Sequence, residues 1–245
     1  MKGRWRVSYD VDARPFWRQR GWQLSAAFFA VILLATVVVS LRGGAPAPAR
    51  PVTLAGPLSE GAPFEGDRPV GCHTDDSRQD APVGPPDDVT WRELNGAPVP
   101  LSASAGPRRT DGPLMWCFAR TPAGAVMAAH VIPRQLSGND WRTIVDQQVV
   151  SGAGRDLFVA MRSSIADSSV RYTTSSVGGF SLLFYSAEAA TVRLLIRVGS
   201  AGYAATEYRV AWSGGDWKME PSTAGDLYSP LTPVADTAGF ILWGK

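Results

Sequence analysis

The chain has 245 residues, 45% of them hydrophobic and 19% charged, with a formal net charge of +2. This composition suits one compact domain with extra segments, and it excludes a collagenous, a low-complexity and a strongly basic nucleic-acid-binding protein. Arginine outnumbers lysine 21 to 3.

Residues 1–21 form a short basic tail, with Lys2, Arg4, Arg6, Arg14, Arg18 and Arg20 against Asp10 and Asp12. So short a tail cannot bury a core, so it reads as a topology signal, or as a docking peptide through Trp5, Tyr9, Phe16 and Trp17. Residues 22–41, WQLSAAFFAVILLATVVVSL, follow without a charge. At ~1.5 Å per residue a helix of this length spans ~30 Å, the thickness of a bilayer's hydrocarbon core. Eleven of its residues are Leu, Ile, Val or Phe. The run is longer than the apolar part of a signal peptide, and Pro48 spoils the Ala47-Pro48-Ala49 cleavage motif. It therefore predicts an uncleaved single-pass anchor. The excess of positive charge before it places the N-terminus in the cytoplasm and the remainder, at a net charge of −2, outside.

Residues 42–86 hold most of the next interruption: Gly43 to Pro86 contains 7 Gly and 9 Pro and almost no large apolar side chain. Such a stretch predicts an extended, mobile linker, and the thirty residues from Arg42 as a flexible coil span ~30 Å. Cys72 and Cys117 are the chain's two cysteines, and on the outer side of a membrane they are most simply a disulfide. A metal site built on Cys72, His73, Asp75 and Asp76 competes with that reading, but zinc wants four convergent ligands and the only other histidine is His130.

Residues 87–120 form a hairpin extension. Val89 to Leu94 and Ala97 to Leu101 flank Asn95-Gly96, a pair suited to the positive φ of a type I′ turn. Residues 121–245 form the main domain. Thr121-Pro122 is an N-cap followed by a proline at the first helical position, and the first helix runs through an Ala-rich stretch to stop near Pro133. The second starts around Asn139, with Trp141, Ile144, Val145, Gln148 and Val149 in one stripe. The third runs from about Arg155 to Ile165, with Leu157, Phe158, Met161 and Ile165 facing inward.

From Gly178 the period shifts to two. Phe180–Ser186, Thr191–Val198, Tyr203–Trp212 and a segment after Gly214-Gly215 predict four antiparallel strands. Trp217 and Met219 should face inward, with Asp216, Lys218 and Glu220 outward, and Arg193, Arg197, Glu207 and Arg209 should supply cross-strand charge pairs. The apolar end Phe240 to Trp243 should pack as a last short strand near the Trp91 hairpin.

No nucleophile with a base and an orienting acid is evident, nor a phosphate loop or a His-Glu-x-x-His zinc motif. The expectation is a noncatalytic protein without cofactor or metal. The order of elements, with Thr-Pro-x-Gly-Ala opening the first of three helices and Val-x-Trp-Ser-Gly-Gly-Asp-Trp-Lys-Met in the last two strands, resembles the cone fold of nuclear transport factor two. With the tail, span and linker in front, the chain is similar to bitopic scaffold subunits of type IV secretion and conjugation machines, as carried by actinobacterial integrative conjugative elements. The resemblance implies an α+β cone of three helices on a curved four-stranded sheet. Its implied partners are channel subunits, a secretion ATPase and further copies of itself. Tyr208 and Trp212 would lie on the concave face, where the alternative function, holding a small apolar ligand, would reside.

Overall fold

A computed structural model of the chain describes residues 56–165, 176–199 and 202–244. The tail, the anchor segment 22–41 and the linker up to residue 55 lie outside the described residues; within these, no helix is long and apolar enough to cross a membrane. The described part is α+β, with three helices and antiparallel sheets.

The hairpin forms as its turn residues require. β3 (Thr90–Leu94) pairs β4 (Ala97–Leu101), and Asn95 and Gly96 take φ of 49° and 80°. A second short hairpin joins β5 (Arg109–Asp111) to β6 (Leu114–Trp116), which leads into the buried run Cys117-Phe118-Ala119. Helix α1 (Pro122–Leu136) begins where the sequence predicts, with the Thr121 hydroxyl accepting from the Gly124 N–H at 3.1 Å. It does not stop at Pro133. The helix continues one more turn because Gln135 and Leu136 are buried, and Gln135 bridges Met115 of β6 and Gln148. Tertiary contacts here outweigh the hydrogen bond that a proline removes.

Helix α2 (Trp141–Gln148) buries Trp141, Ile144 and Val145 as predicted. Helix α3 (Ala153–Ser163) departs from expectation, since none of its residues is buried, and Leu157, Met161 and Ile165 stand exposed. An amphipathic pattern requires that one face be covered, but it does not say by what.

The main sheet follows. β7 (Ser176–Tyr185), β8 (Ala189–Arg197), β9 (Tyr203–Ser213) and β10 (Asp216–Met219) form the predicted antiparallel series, joined at Gly214 and Gly215 by a turn with φ of 61° and 74°. The sheet is wider than four strands: β11 (Thr232–Val234) pairs β9, and β12 (Ile241–Leu242) pairs β7. Arg193 and Glu207 face each other across β8 and β9 as an ion pair, and Arg209 meets Glu220 at 3.0 Å. Trp243, just past β12, packs edge-on to Trp91 with ring centres 5.7 Å apart. Helix α1 lies against the sheet, its small residues permitting close approach.

Two expectations for residues 56–86 and for β10 fail together. Residues 42–86 are expected to be a mobile linker tethered to the domain only near Cys72, yet residues 56–86 form a strap along the domain that includes β1 (Phe64–Glu65) and β2 (Arg68–Pro69). What holds the strap is mainly polar. Leu58 N–H donates to Gln147 at 2.8 Å, Lys218 Nζ donates to the Leu58 carbonyl at 3.1 Å, and Cys72 is joined to Cys117 by a disulfide. The strap covers the second face of β10, so Asp216 and Lys218 are buried, where period-two reasoning had put them in water. At Gly215 a Cβ would lie 2.7 Å from Pro69, so the fit of strap on turn needs glycine.

Asp216 is the hub of this arrangement. Its carboxylate accepts from the N–H groups of Cys117 (2.7 Å), Phe118 (2.9 Å) and Trp217 (2.9 Å). Burial pushes its pKa up to about 6, against the lowering effect of those three donors and of Arg68. Replacing Asp216 with Ala strands buried donors, each worth about 1–3 kcal/mol. Asp216→Ala is therefore expected to lose at least about 3 kcal/mol in urea unfolding, with Asp216→Asn losing less. Cys72 and Cys117 lie 45 residues apart in sequence, and opening a loop of that length costs about 4 kcal/mol on the chain-entropy account. Reductant should lower the unfolding midpoint of the wild type and leave a Cys72→Ala/Cys117→Ala variant unchanged.

Candidate docking surface

The two aromatic residues expected on the concave face have different roles. Tyr208, on β9, lines a pocket of about 150 Å3 enclosed by the β3–β4 hairpin, by His130, Pro133 and Arg134 of α1, and by Val177, Leu194 and Ile196 of the sheet. Burial pushes its hydroxyl pKa well above the usual tyrosine range. Trp212 does not line this pocket. It packs edge-on to Trp217 at 5.4 Å, with the guanidinium groups of Arg68 and Arg120 at 4.4 and 5.0 Å from its ring centre. Cation–π contacts of this kind make Trp212 a structural pillar between strap and sheet.

Arg68 was invisible to sequence reasoning, because a lone arginine in a Pro/Gly-rich stretch reads as solvated. In the fold it is buried and donates to the carbonyl oxygens of Phe118 at 2.9 Å and Gly215 at 3.4 Å, and it pairs with Asp76. Asp76 in turn accepts from Thr74 Oγ1 and from the Arg120 N–H, at 2.9 and 2.8 Å. Cys72 is taken by the disulfide, which removes it as a metal ligand. Among the described residues no group of three His, Cys, Asp or Glu side chains is placed to hold a metal ion.

His130 is packed, as the sequence suggested, and it shares its environment with Trp91 and Trp243, ring centres 6.1 and 5.5 Å away. Its Nδ1 and the Nε1 of Trp243 are buried without a hydrogen-bond partner. Burial alone drives its pKa down to about 3.

The largest departure from the expected strands is on β7. Phe180 to Ser186 reads as a mostly buried strand, and Phe180 is indeed core, but Leu183 and Phe184 are 46% and 54% exposed. A register shift between Leu182 and Phe184 turns the strand locally, so a continuous apolar run ends in solvent. β12 covers this edge of β7 only at Gly179 and Phe180. Beyond Phe180 the outer edge has no strand partner among the described residues, and it carries two large apolar side chains. An edge of this kind pairs readily with an incoming strand. Nothing in the sequence distinguished this run from a buried strand, since only the bulge and the short reach of β12 expose it.

The His130 environment predicts acid sensitivity. Its pKa in the folded chain lies below the unfolded value of 6.5, so the folded state binds fewer protons between pH 6.5 and about 3. The stabilisation from His130 is complete above pH 6.5 and is lost as pH falls through that window, while Asp216, raised to about 6, works in the opposite sense between 3.8 and 6. Melting temperature against pH should therefore fall less steeply between pH 6.5 and 5 in His130→Phe than in the wild type.

No curated protein and no solved structure matches the chain. The family model described as a domain of unknown function, DUF8175, matches residues 55–242, covering the strap, the hairpins, the three helices and the sheet, and the chain belongs to that family.

Proposed function

We propose that the chain is a noncatalytic scaffold or assembly component of a conjugative DNA-transfer machine of the type IV secretion kind, anchored in the cell membrane by residues 22–41. On this reading the tail 1–21 is cytoplasmic and the domain extracytoplasmic. The partners are other channel subunits, the secretion ATPase and further copies of the chain, with no direct contact to nucleic acid and no cofactor. The domain is read as a nuclear-transport-factor-two-like cone, a comparison supported by three helices preceding an antiparallel sheet with α1 packed on it.

The observation that carries the reading is the open outer edge of β7, with Leu183 and Phe184 in solvent. Exposed apolar side chains on an unpaired strand mark a protein-binding surface. The alternative, a surface-anchored module that holds a small apolar ligand, is favoured by the pocket at His130 and Tyr208.

Cross-linking in the native membrane followed by purification of the full-length protein tests the reading. The wild type should bring down channel subunits and the ATPase. Phe184→Asp, at an exposed position that leaves the core intact, should lose the cross-linked channel subunits several-fold. A protein recovered alone and monomeric contradicts the scaffold reading and turns attention to the pocket.

A further inference from the structure

The pocket that Tyr208 lines carries more chemical information than its apolar walls suggest. Its polar lining residues are His130, Arg134 and Tyr208, and none of the lining residues is acidic. Arg134 is committed to the wall itself. Its guanidinium donates to the Leu94 carbonyl at 3.0 Å and to the Asn95 carbonyl, while its own carbonyl accepts from Asn95 Nδ2 at 2.9 Å. These bonds hold the turn of the β3–β4 hairpin on α1, so the side of the pocket made by Ala97, Pro98 and Val99 is fixed in place.

The other two polar residues have bonding capacity to spare. His130 is 4% exposed, packed beside Trp91 and Trp243, and its Nδ1 has no hydrogen-bond partner. The Tyr208 hydroxyl likewise has none among the described residues. A polar group taken out of water without a partner is costly, so two such groups at one pocket point to a partner that the chain does not supply. Both can give and take. A neutral imidazole has one donor and one acceptor nitrogen, and a tyrosine hydroxyl is donor and acceptor at once.

Size and charge narrow what that partner is. A volume of about 150 Å3 is that of a cavity that accepts benzene. A cation would meet no carboxylate among the lining residues. An anion would find Arg134 engaged with backbone carbonyls and His130 uncharged, since burial drives the His130 pKa down to about 3. Water fills such a space poorly: about five molecules fit, each seeking about three hydrogen bonds, and the walls offer them His130 and Tyr208.

We infer that this pocket binds a small uncharged molecule with an apolar ring or chain and one hydroxyl, a phenol or a short alcohol, held by hydrogen bonds to His130 and Tyr208. This rests on the ligand-holding alternative given above, which it deepens by naming the ligand's chemistry, and it does not depend on the membrane anchor.

The test uses the full-length chain in lipid nanodiscs, with isotope-labelled histidine rings and Leu and Ile methyl groups followed by nuclear magnetic resonance. The chain has two histidines, and the exposed His73 is the internal control. Phenol and toluene, in which a methyl group replaces the hydroxyl, are titrated in turn. Phenol is expected to shift the His130 ring nitrogens and the Leu194 and Ile196 methyl signals together and saturably, leaving His73 unmoved. Toluene should bind several-fold more weakly. Tyr208→Phe should raise the half-saturating concentration of phenol several-fold and leave that of toluene unchanged. If both compounds move the Leu194 and Ile196 methyl signals equally while the His130 nitrogens stay put, the pocket takes apolar ligands and the inference of a hydroxyl-bearing one is overturned. If neither compound moves any of these signals at millimolar concentration, the inference and the ligand-holding alternative fall together.

Discussion

The loop at Cys117 and Phe118 is tied to the sheet by one buried carboxylate. Asp216 sits at the start of β10 and accepts hydrogen bonds from two consecutive N–H groups, those of Cys117 and Phe118, as well as from Trp217. Taking a charge out of water is costly, and three donors with a nearby arginine offset that cost only where the geometry is fixed. The carboxylate therefore specifies one arrangement of the Cys117 loop against β10. The rest follows from that placement: Cys117, at φ of 70°, presents its sulfur to Cys72, Phe118 presents its carbonyl to Arg68, and Ala119 accepts from the Trp217 indole at 2.9 Å.

The strap illustrates how a segment without a hydrophobic face becomes part of a fold. Between residues 56 and 86 only Leu58, Pro69 and Cys72 contribute buried apolar side chains. Order comes instead from Arg68, Asp76 and the disulfide, and from the covering of Lys218, whose pKa burial lowers.

Local chemistry was legible in the sequence wherever one turn or cap decides the outcome. Thr121-Pro122 started α1, Asn95-Gly96 and Gly214-Gly215 turned their hairpins, and period-two alternation located β7 to β10. The pairing of Cys72 with Cys117 was expected from there being two cysteines, both on the side predicted to lie outside, and the two are bridged. What the sequence could not express was which faces are covered from a distance. Asp216 and Lys218 alternate like solvent-facing residues, and only the strap makes them interior. Leu157 and Met161 recur at the spacing of core residues, yet each is 45% exposed. Tyr208 and Trp212 share one face of β9, yet the hairpin encloses the first in a pocket and two arginines stack on the second.

Native-state hydrogen exchange of the full-length protein tests the central claim most directly. If Asp216 locks the Cys117 loop into the core, the amides of Cys117 and Phe118 exchange only through global unfolding, with the same protection as Leu194 and Leu195 in the middle of the sheet. Exchange of those two amides by local opening, orders of magnitude faster than that of Leu194 and Leu195, would contradict it. The loop would then be a surface attachment held by the disulfide alone.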